Sequence, residues 1–484
     1  MMMTKYCKSM AMLIAAVMIV LLSSCSSKPK YESMIPDDSA VLIRLDVKQM
    51  AEQCNFEKSD VKDKMLKAVD GEGKSAEAKK VLKKVIEDPA ELGVDLRVPV
   101  LACVSSKGDG STTVFAEMHD ADKLTQFINA AGTQGSVKTH EGLSFLYDNG
   151  VLLAYNDNVL CITTQNDSEE RAVKAAHKLL GGEEASTISQ SDDVDRLLSS
   201  DGIATFLIRG ELYEMPELKS ELAKTPMPKG LNLKDMSVLC DIQSKKGSVV
   251  CTVDLLTKSD AWKAYIDQSD KLLQPITDDL LQYASKKGMA MMANIDGKAW
   301  VSNVKDNPSF KALVGEEAGM AERVAMAEKL MSTVNGNMVV CINKLDMANN
   351  DIQAGCYVKT TDSSIADMAQ PLLGTVAKVG YKDNTSYIAM TQAADPLQAV
   401  AEPFSKGDVK GKFYFYLDFS LFKGLASMAR TGVQAMALKG VTDTFSNMEI
   451  VYLGGGKTEM TLNLCQADKY PLESLMEAVS ANLN

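Results

Sequence analysis

Short apolar runs with strand-like alternation, separated by polar turns and helical patterns, recur along the whole chain. The first run, Ala40–Leu45, predicts a strand, and the apolar spacing over Ser75–Glu87 predicts an amphipathic helix. A turn at Lys107–Gly110 joins the two strands of a hairpin, and we assign Asp122 as the N-terminal cap of the next helix. The sequence therefore predicts a unit in the order strand, helix, hairpin, helix.

The same unit returns further along the chain. Gly93-Val94-Asp95-Leu96 is repeated as Gly230-Leu231-Asn232-Leu233, and a cysteine follows each block, at Cys103 and Cys240. Four positions of the following helix also correspond, namely Asp122, Leu124, Phe127 and Ile128 with Asp260, Trp262, Tyr265 and Ile266. The offset between matched positions stays at 137 to 138 residues, which indicates an internal duplication.

Four copies of the leading strand predict four units. They are Ala40–Asp46, Ile203–Arg209, Met289–Asp296 and Lys412–Asp418. The fold class that follows is α+β, with internally repeated antiparallel sheets and helices packed on one face. After a leader (residues 1–24) and a tether (25–34), we expect a first half over 35–283 with a unit boundary near 190. The second half then covers 284–484, with a boundary near 405.

Two of the predicted hairpins place cysteines opposite each other. With turn centres after residues 245 and 348, Cys240 pairs with Cys251 and Cys341 pairs with Cys356. In an oxidising compartment both pairs are candidate disulfides, and buried thiols are the alternative. None of the ten cysteines forms a CxxC motif, which argues against zinc-ribbon and thioredoxin-like sites.

The N-terminus carries a secretory signal pattern that ends in a cysteine. Lys5 and Lys8 precede an apolar run from Met10 to Leu22, which is shorter than the ~20 residues of a membrane span. The closing Leu22-Ser23-Ser24-Cys25 resembles the lipobox of bacterial lipoproteins, in which the cysteine thiol is acylated and becomes the mature N-terminus. This resemblance implies that Cys25 is lipidated, with a plain signal peptide or a short membrane anchor as alternatives.

Charge narrows the range of partners. The net charge of −12 becomes −14 without Lys5 and Lys8, since residues 1–24 contain no acid, and this acidic balance argues against nucleic-acid binding. No later run of 18 apolar residues occurs, so the acyl chains are the expected membrane contact. Surface-exported lipoproteins of the Bacteroidetes type carry an acidic run after the cysteine, where this chain has Lys28-Pro29-Lys30. We therefore expect an outer-membrane anchor that faces the periplasm, with surface exposure as the alternative.

No pattern predicts a catalytic centre, a metal site or a cofactor. His119, His140 and His177 lack metal-binding spacing, and no GxSxG nucleophile motif occurs. The stretch Gly454–Thr458 lacks the earlier glycine of a phosphate loop and precedes a strand, so we assign it as a hairpin turn. Methionine clusters such as the one at 289–292 are assigned to core packing rather than to copper binding.

The aromatic strand Phe413–Tyr416 is the best candidate for a binding surface in the sequence. An exposed pair of tyrosines could stack on a sugar or contact a partner protein. The strand alternation favours the other interpretation, with Phe413 and Phe415 in the core and Tyr414 and Tyr416 half-buried against helices.

Several of these features occur together in one family. The lipobox, the opening Ile35–Asp46, and the block from Asp88-Pro89 to Leu96 with its repeat resemble Bacteroidetes cell-envelope lipoproteins of unknown function. The resemblance covers nearly the whole mature chain, and its motifs are structural. It therefore implies no catalytic residues.

We expect a non-enzymatic envelope lipoprotein, a repeat-built scaffold that binds another envelope protein. A binding protein for a small apolar or glycan ligand is the second hypothesis, and an enzyme whose site the sequence does not reveal is the third. A broad exposed apolar patch would favour the scaffold. A cavity with convergent polar groups would favour the small-ligand protein. A titratable group with a strongly shifted pKa in a cleft would favour the enzyme.

Overall fold

The computed structural model describes residues 29–55, 60–71, 74–107, 111–132, 136–164, 168–181, 187–188, 191–215, 218–219, 230–306, 320–347, 349, 351–423, 433–474 and 476. The predicted leader, the predicted lipidation site Cys25 and the predicted boundary near residue 190 lie outside this set. The chain forms two compact units. Unit 1 comprises Met1–Leu222, Ser237–Lys246 and Lys469–Asn484, and unit 2 comprises Ala223–Met236 and Gly247–Asp468.

Unit 1 contains ten of the described strands. They are β1 (Ser39–Leu45), β2 (Val94–Asp95), β3 (Val100–Ser105), β4 (Thr112–Met118), β5 (Lys138–His140), β6 (Leu143–Asp148), β7 (Val151–Tyr155), β8 (Val159–Thr164), β9 (Ala204–Ile208) and β10 (Met236–Lys245). Its helices are α1 (Val47–Cys54), α2 (Asp60–Gly71), α3 (Ala76–Glu87), α4 (Ala121–Ala131), α5 (Glu169–Gly181) and α6 (Asp192–Leu198). Short 3-10 helices cover Glu32–Met34, Pro89–Leu92 and Gly210–Glu214.

These strands form one antiparallel sheet. Its order is β10-β9-β1-β3-β4-β8-β7-β6-β5. Strand β2 pairs with the end of β4, in line with β3. The leading strand β1 therefore lies inside the sheet, between the second leading strand β9 and the first hairpin.

Unit 2 contains the remaining described strands. They are β11 (Ser248–Thr257), β12 (Leu273–Gln274), β13 (Met289–Asp296), β14 (Val334–Asp346), β15 (Asp351–Thr360), β16 (Lys378–Lys382), β17 (Thr385–Met390), β18 (Phe413–Asp418), β19 (Phe445–Gly454) and β20 (Lys457–Leu464). Its helices are α7 (Asp260–Asp270), α8 (Gly297–Asp306), α9 (Met320–Met331), α10 (Ser364–Leu373) and α11 (Val433–Thr444), with 3-10 turns at Leu233–Asp235, Leu281–Tyr283 and Phe419–Phe422.

The sheet of unit 2 repeats the strand order of unit 1. It runs β11-β20-β19-β18-β13-β14-β15-β17-β16, all antiparallel, with β12 beside the end of β13. The second leading strand pairs with the first in both units, as β9 with β1 and β18 with β13. The first leading strand also pairs with the first hairpin of its unit, β3–β4 or β14–β15, and the extra strands follow that hairpin in the sheet. The predicted α+β class with repeated antiparallel sheets is confirmed.

The duplicated sequence block keeps its local geometry. Gly93 and Gly230 have φ of +84° and +89°, a left-handed conformation that glycine adopts without strain. Two residues later, Asp95 Oδ1 and Asn232 Oδ1 each accept a hydrogen bond from the amide two positions on, at 3.1 Å in both copies. The same turn is therefore built twice.

The predicted helix cap Asp122 is wrong by two positions. The N-cap of α4 is Asp120, whose Oδ1 accepts from the amide of Lys123 at 3.1 Å. The N-cap of α7 is Ser259. Asp122 and Asp260 instead lie in the first turn, where a carboxylate still interacts favourably with the helix dipole.

Both faces of the unit 1 sheet are covered. Helices α1, α3 and α4 pack on one face through residues such as Val47, Val85 and Phe127, against the strand residues Ala116 and Leu153. The opposite face carries α5 and the chain segment that enters β1. Among the described residues, no helix is long and apolar enough to cross a bilayer.

The chain segment before β1 belongs to the folded body. Tyr31 is completely buried, stacks on Phe115 of β4 with ring centroids 6.1 Å apart, and donates its hydroxyl to the carbonyl of Pro99. The amide of Lys30 donates to the buried carboxylate of Glu117 at 2.7 Å. Residues 30–34, which the sequence placed in the tether, therefore belong to the folded body.

Unit 2 repeats this arrangement before its own leading strand. Tyr283 is buried and stacks on Tyr357 of β15, with ring centroids 4.4 Å apart. Strands β15 and β4 hold equivalent places, because each is the second strand of the first hairpin in its unit. An aromatic stack thus fixes the pre-strand segment to the sheet in both units.

Two asparagines of β14 hold the segment 276–288 across the sheet of unit 2. Asn337 is 1% exposed and donates to the carbonyls of Thr277 and Asp279 at 2.9 and 2.7 Å. Asn343 donates to the carbonyl of Tyr283 and accepts from the amide of Ser285, both at 2.8 Å. These side chains satisfy backbone groups that have no ladder partner of their own.

The loop 391–411 completes this cover. Its backbone pairs with the 276–288 segment, for example from the amide of Phe404 to the carbonyl of Ala284 at 3.1 Å. Lys286 Nζ lies 2.6 Å from Asp408 Oδ2, and Ser405 donates to the same oxygen. One core of unit 2 is therefore closed by non-helical chain rather than by helices.

Removing the Tyr31 ring tests whether the pre-strand segment stabilises unit 1. We expect Tyr31→Ala to lower the free energy of unfolding by about 3–5 kcal/mol, because it leaves a cavity against Phe115. Tyr31→Phe keeps the ring and should cost about 1 kcal/mol for the lost hydrogen bond. Denaturant unfolding followed by circular dichroism measures both. Tyr147→Ala, at a half-buried tyrosine of the same unit, is the control, and an equal loss there would contradict this role.

The Lys286–Asp408 contact predicts a pH-dependent contribution to stability. The ammonium of Lys286 and the hydroxyl of Ser405 lower the pKa of Asp408 to about 2. Because the folded pKa is below the unfolded value of ~3.9, the contribution is present above that pH and is lost as pH falls towards 2. Asp408→Asn should therefore destabilise the protein at pH 7, and this effect should decrease as the pH falls through 2. Asp395→Asn in the same loop controls for the loss of one charge.

Candidate functional site

Two of the three histidines line the same depression in the folded chain. His140 on β5 and His177 on α5 line an open depression of about 1290 Å³, and His177 Nε2 lies 3.3 Å from Glu141 Oε2. Lys138 Nζ pairs with Glu169 Oε1 at 2.5 Å on the same wall. The spacing of the histidines in the sequence does not predict their placement around one depression, because β5 and α5 come together only through the extra strands of unit 1. Within the described residues, no group of three or more His, Cys, Asp or Glu side chains is arranged to hold a metal ion.

A smaller cavity lies beside this depression, on the other side of α5. It has a volume of about 270 Å³, and Lys178 lines both concavities. Its wall contains the hydroxyls of Ser39, Ser105, Ser111 and Thr113. We refer to it below as the α5 cavity.

A polar network of unit 1 connects side chains of β1 and β10 with the loop before β9. Thr205 Oγ1 donates to Asp241 Oδ1 at 2.9 Å, and Ser200 donates to the same oxygen. Arg44 is 5% exposed and donates to the carbonyl of Gly202 at 2.9 Å. The Ser200–Asp241 contact contains no histidine that could act as a base, and its hydrogen bonds fix the loop before β9 to the sheet. We therefore assign this network to architecture.

The aromatic strand β18 is oriented opposite to the favoured interpretation. Tyr414 and Tyr416 are 2% and 9% exposed, whereas Phe413 and Phe415 are only partly buried. The Tyr416 hydroxyl donates to the carbonyl of Lys286 at 3.0 Å. The non-helical cover of unit 2 offers carbonyl acceptors in the core, so a phenol can be buried there with its hydrogen bond made. The strand is therefore neither a tyrosine binding surface nor a phenylalanine core strand.

The glycine stretch is a hairpin turn, as predicted. It joins β19 and β20, and Gly454, Gly455 and Gly456 all have positive φ. The Gly455 amide donates to Asp270 Oδ2 at 2.5 Å, and Tyr452 donates to the other oxygen of the same carboxylate. The amide that an external phosphate would need is therefore occupied by the chain's own carboxylate.

The hairpin β14–β15 has a different cysteine register from the predicted one. Pairs nearest the turn keep the predicted register, but a bulge at Asn343 then shifts it by one residue. Cys341 consequently pairs with Gly355, and Cys356 pairs with Val340. The two thiols lie on opposite faces of the hairpin and are unbonded in this structure. A disulfide between them stays a prediction, and it now requires the bulge to move.

The strand registers of the structure do not test the predicted pair Cys240–Cys251. Strand β10 ends at Lys245 and β11 begins at Ser248, so the turn is centred one residue later than the sequence placed it. Cys240 belongs to unit 1 and Cys251 to unit 2. Their disulfide stays a prediction.

Unit 2 exposes an apolar surface at the end of α10. Leu372, Leu373 and Val376 are 72%, 38% and 65% exposed, and we call this surface the α10 patch. Pro371 lies in the last turn of the helix, and the chain turns from there into β16, which pairs only with β17 among the described strands. A cluster of large apolar side chains in solvent, next to a sheet edge, is typical of a surface that binds a partner.

Sequence comparison identifies a family but no activity. Residues 31–368, most of the chain, match the family described as a domain of unknown function, DUF4836. The match begins at the buried Tyr31. The sequence has no match among the curated proteins.

Two solved structures show only a slight similarity to this chain. Crystal form IV of TP0453 aligns with a TM-score of 0.30 and 14% identity, over 48% of this chain and 81% of that chain. Crystal form I of TP0453 aligns with a TM-score of 0.28 and 11% identity, over 52% and 88%. A likeness of this size carries no argument about function. The family match is the informative one, and the chain belongs to the DUF4836 family.

Proposed function

We propose that this protein is a non-enzymatic, lipid-anchored scaffold of the bacterial cell envelope that binds another envelope protein through the α10 patch. The observation that carries the proposal is the exposure of Leu372 and Val376 at 72% and 65%. Each exposed apolar side chain is unfavourable in water by roughly 25 cal/mol per Å² that a partner could cover. A surface of this kind beside an open sheet edge is better suited to a protein partner than to a substrate.

The anchor in this proposal is the acylated Cys25. Each acyl chain contributes about 0.8 kcal/mol per buried methylene, so two or three chains hold a protein on a bilayer. The basic Lys28-Pro29-Lys30 after the cysteine favours a periplasm-facing outer-membrane location. The sequence pattern supports this part of the proposal, since Cys25 lies outside the described residues.

The burial of Tyr31 limits how far the body can stand from the membrane. Five residues lie between Cys25 and Tyr31, so the chain makes six steps of at most ~3.6 Å each, or about 22 Å in all. The body is thus held close to the leaflet that carries its acyl chains. The partner we propose is consequently one that resides at the same membrane.

The buried cysteine thiols give little support to an enzymatic role. Burial raises the pKa of the Cys103, Cys161 and Cys341 thiols to about 12, so at neutral pH they are protonated and poor nucleophiles. A small-ligand role is the second candidate, and the hydroxyl-lined α5 cavity favours it.

Site-specific photocrosslinking in intact cells tests the proposal. A photoreactive residue at Val376 should give one main protein adduct, and Leu372→Asp should remove that adduct by placing a charge in the contact. The matched control is a photoreactive residue at Leu453, which is 45% exposed on β19 of the same unit. The same adduct from Leu453, or an adduct unaffected by Leu372→Asp, would contradict binding through the α10 patch.

Cys25→Ala separates the anchor from the patch. The variant should move from the membrane fraction to the soluble periplasmic fraction, and the crosslink at Val376 should weaken because the body leaves the membrane. If the variant stays in the membrane fraction, the anchor assignment fails. If only lipids or sugars co-purify with the wild-type protein, the scaffold assignment fails.

A further inference from the structure

One face of the unit 1 sheet changes from apolar to hydroxyl-bearing along its strands. Leu101, Phe115 and Cys161 pair directly across β3, β4 and β8, share this face, and are at most 1% exposed. Two residues further along the strands, Thr113 and Thr163 are paired on the same face, with their hydroxyl oxygens 3.2 Å apart. Hydroxyls at positions that continue a core are unfavourable unless they have hydrogen-bonding partners.

The cover above these hydroxyls leaves space. Helix α5 presents Ala175 and Leu179, and the segment entering β1 presents Pro36 on the other side. The resulting α5 cavity of about 270 Å³ could hold roughly nine water molecules at ~30 Å³ each. This volume is near the lower limit for a small-molecule site.

The charged groups of the cavity have opposite signs. Asp38 Oδ2 accepts from Ser105 Oγ at 2.8 Å and lies 3.3 Å from Lys107 Nζ. Lys178 lines the wall contributed by α5. A strong anion would meet the Asp38 carboxylate, and a strong cation would meet Lys178. A neutral ligand that both donates and accepts hydrogen bonds can use both groups and the serine and threonine hydroxyls.

We propose that the α5 cavity binds a small, neutral, polyhydroxylated molecule of monosaccharide size. Asp38 and Thr113 accept from its hydroxyls, since the Thr113 hydroxyl proton is donated to Thr163, while Lys178 donates to its oxygens and Leu179 contacts its C–H surface. This site is independent of the acyl anchor and of the α10 patch. It therefore adds a second ligand to the proposed scaffold rather than replacing its protein partner.

Cys103 gives the site a built-in reporter, because its buried, protonated thiol is alkylated only when the structure around it opens, and a ligand bound in the cavity suppresses that opening. The thiol lines the cavity and is 2% exposed, whereas Cys465 is exposed elsewhere in the chain. We would alkylate the full-length protein with N-ethylmaleimide in the presence of glucose, galactose, N-acetylglucosamine or myo-inositol. Peptide mass spectrometry then gives the rate at each cysteine. At least one of these compounds should slow alkylation of Cys103 several-fold and saturably, with the rate at Cys465 unchanged.

Calorimetric titration of the protecting compound into two variants tests the contacts. Thr113→Val keeps the side-chain shape and removes one hydroxyl, so affinity should fall about fivefold for a lost hydrogen bond of ~1 kcal/mol. Thr112→Val makes the same change at the next residue of β4, whose side chain is on the opposite face, and should bind like the wild type.

The proposal has clear failing outcomes. It is overturned if no compound of the panel protects Cys103 or releases heat on titration. It is also overturned if Thr113→Val and Thr112→Val bind equally well. Protection by inorganic phosphate but by none of the sugars would assign the cavity to an anion and would overturn the neutral-ligand class.

Discussion

The fold depends on how the second face of each sheet is kept from water. Helices cover one face of the unit 1 sheet, and the chain that enters the first strand covers part of the other, fixed by the stack of Tyr31 on Phe115. Unit 2 uses the same solution, with Tyr283 stacked on Tyr357. An aromatic ring suits this role because it buries a large area, while its hydroxyl can bond a carbonyl of the irregular chain around it. The duplication therefore preserved a packing interaction as well as a strand order.

The candidate sites lie where this cover ends or is absent. The α5 cavity begins at Pro36, just after the segment held by Tyr31, where the sheet face turns from apolar side chains to hydroxyls. The α10 patch, in contrast, has no cover among the described residues and lies outside the core of unit 2, beside the short edge strand β16. The cover of unit 2 instead packs over buried tyrosines and accepts a hydrogen bond from the hydroxyl of Tyr416.

The sequence predicted what local periodicity and turn residues determine. The strand, helix and hairpin order, the repeat of Gly93 at Gly230 and the hairpin turn at Gly455 follow from short-range patterns. The cysteine register of β14 could not be predicted, because it depends on a bulge at Asn343, whose side chain bonds Tyr283 and Ser285, about 60 residues away in sequence. The burial of Tyr414 likewise depends on long-range packing, and so does the placement of His140 and His177 around one depression. Alternation shows that a strand has two faces, but not which face meets a core.

The position of Tyr31 also determines how mechanical load would enter the molecule. A pull on the chain from its N-terminal side must first extract a ring that is completely buried, and then reaches β1, which is paired on both sides by β3 and β9. Such a strand resists tension in shear, with its ladder hydrogen bonds loaded together, whereas an edge strand would peel away one bond at a time. A force that pulls on the folded body through its N-terminal side is thus carried by β1, in the middle of the sheet.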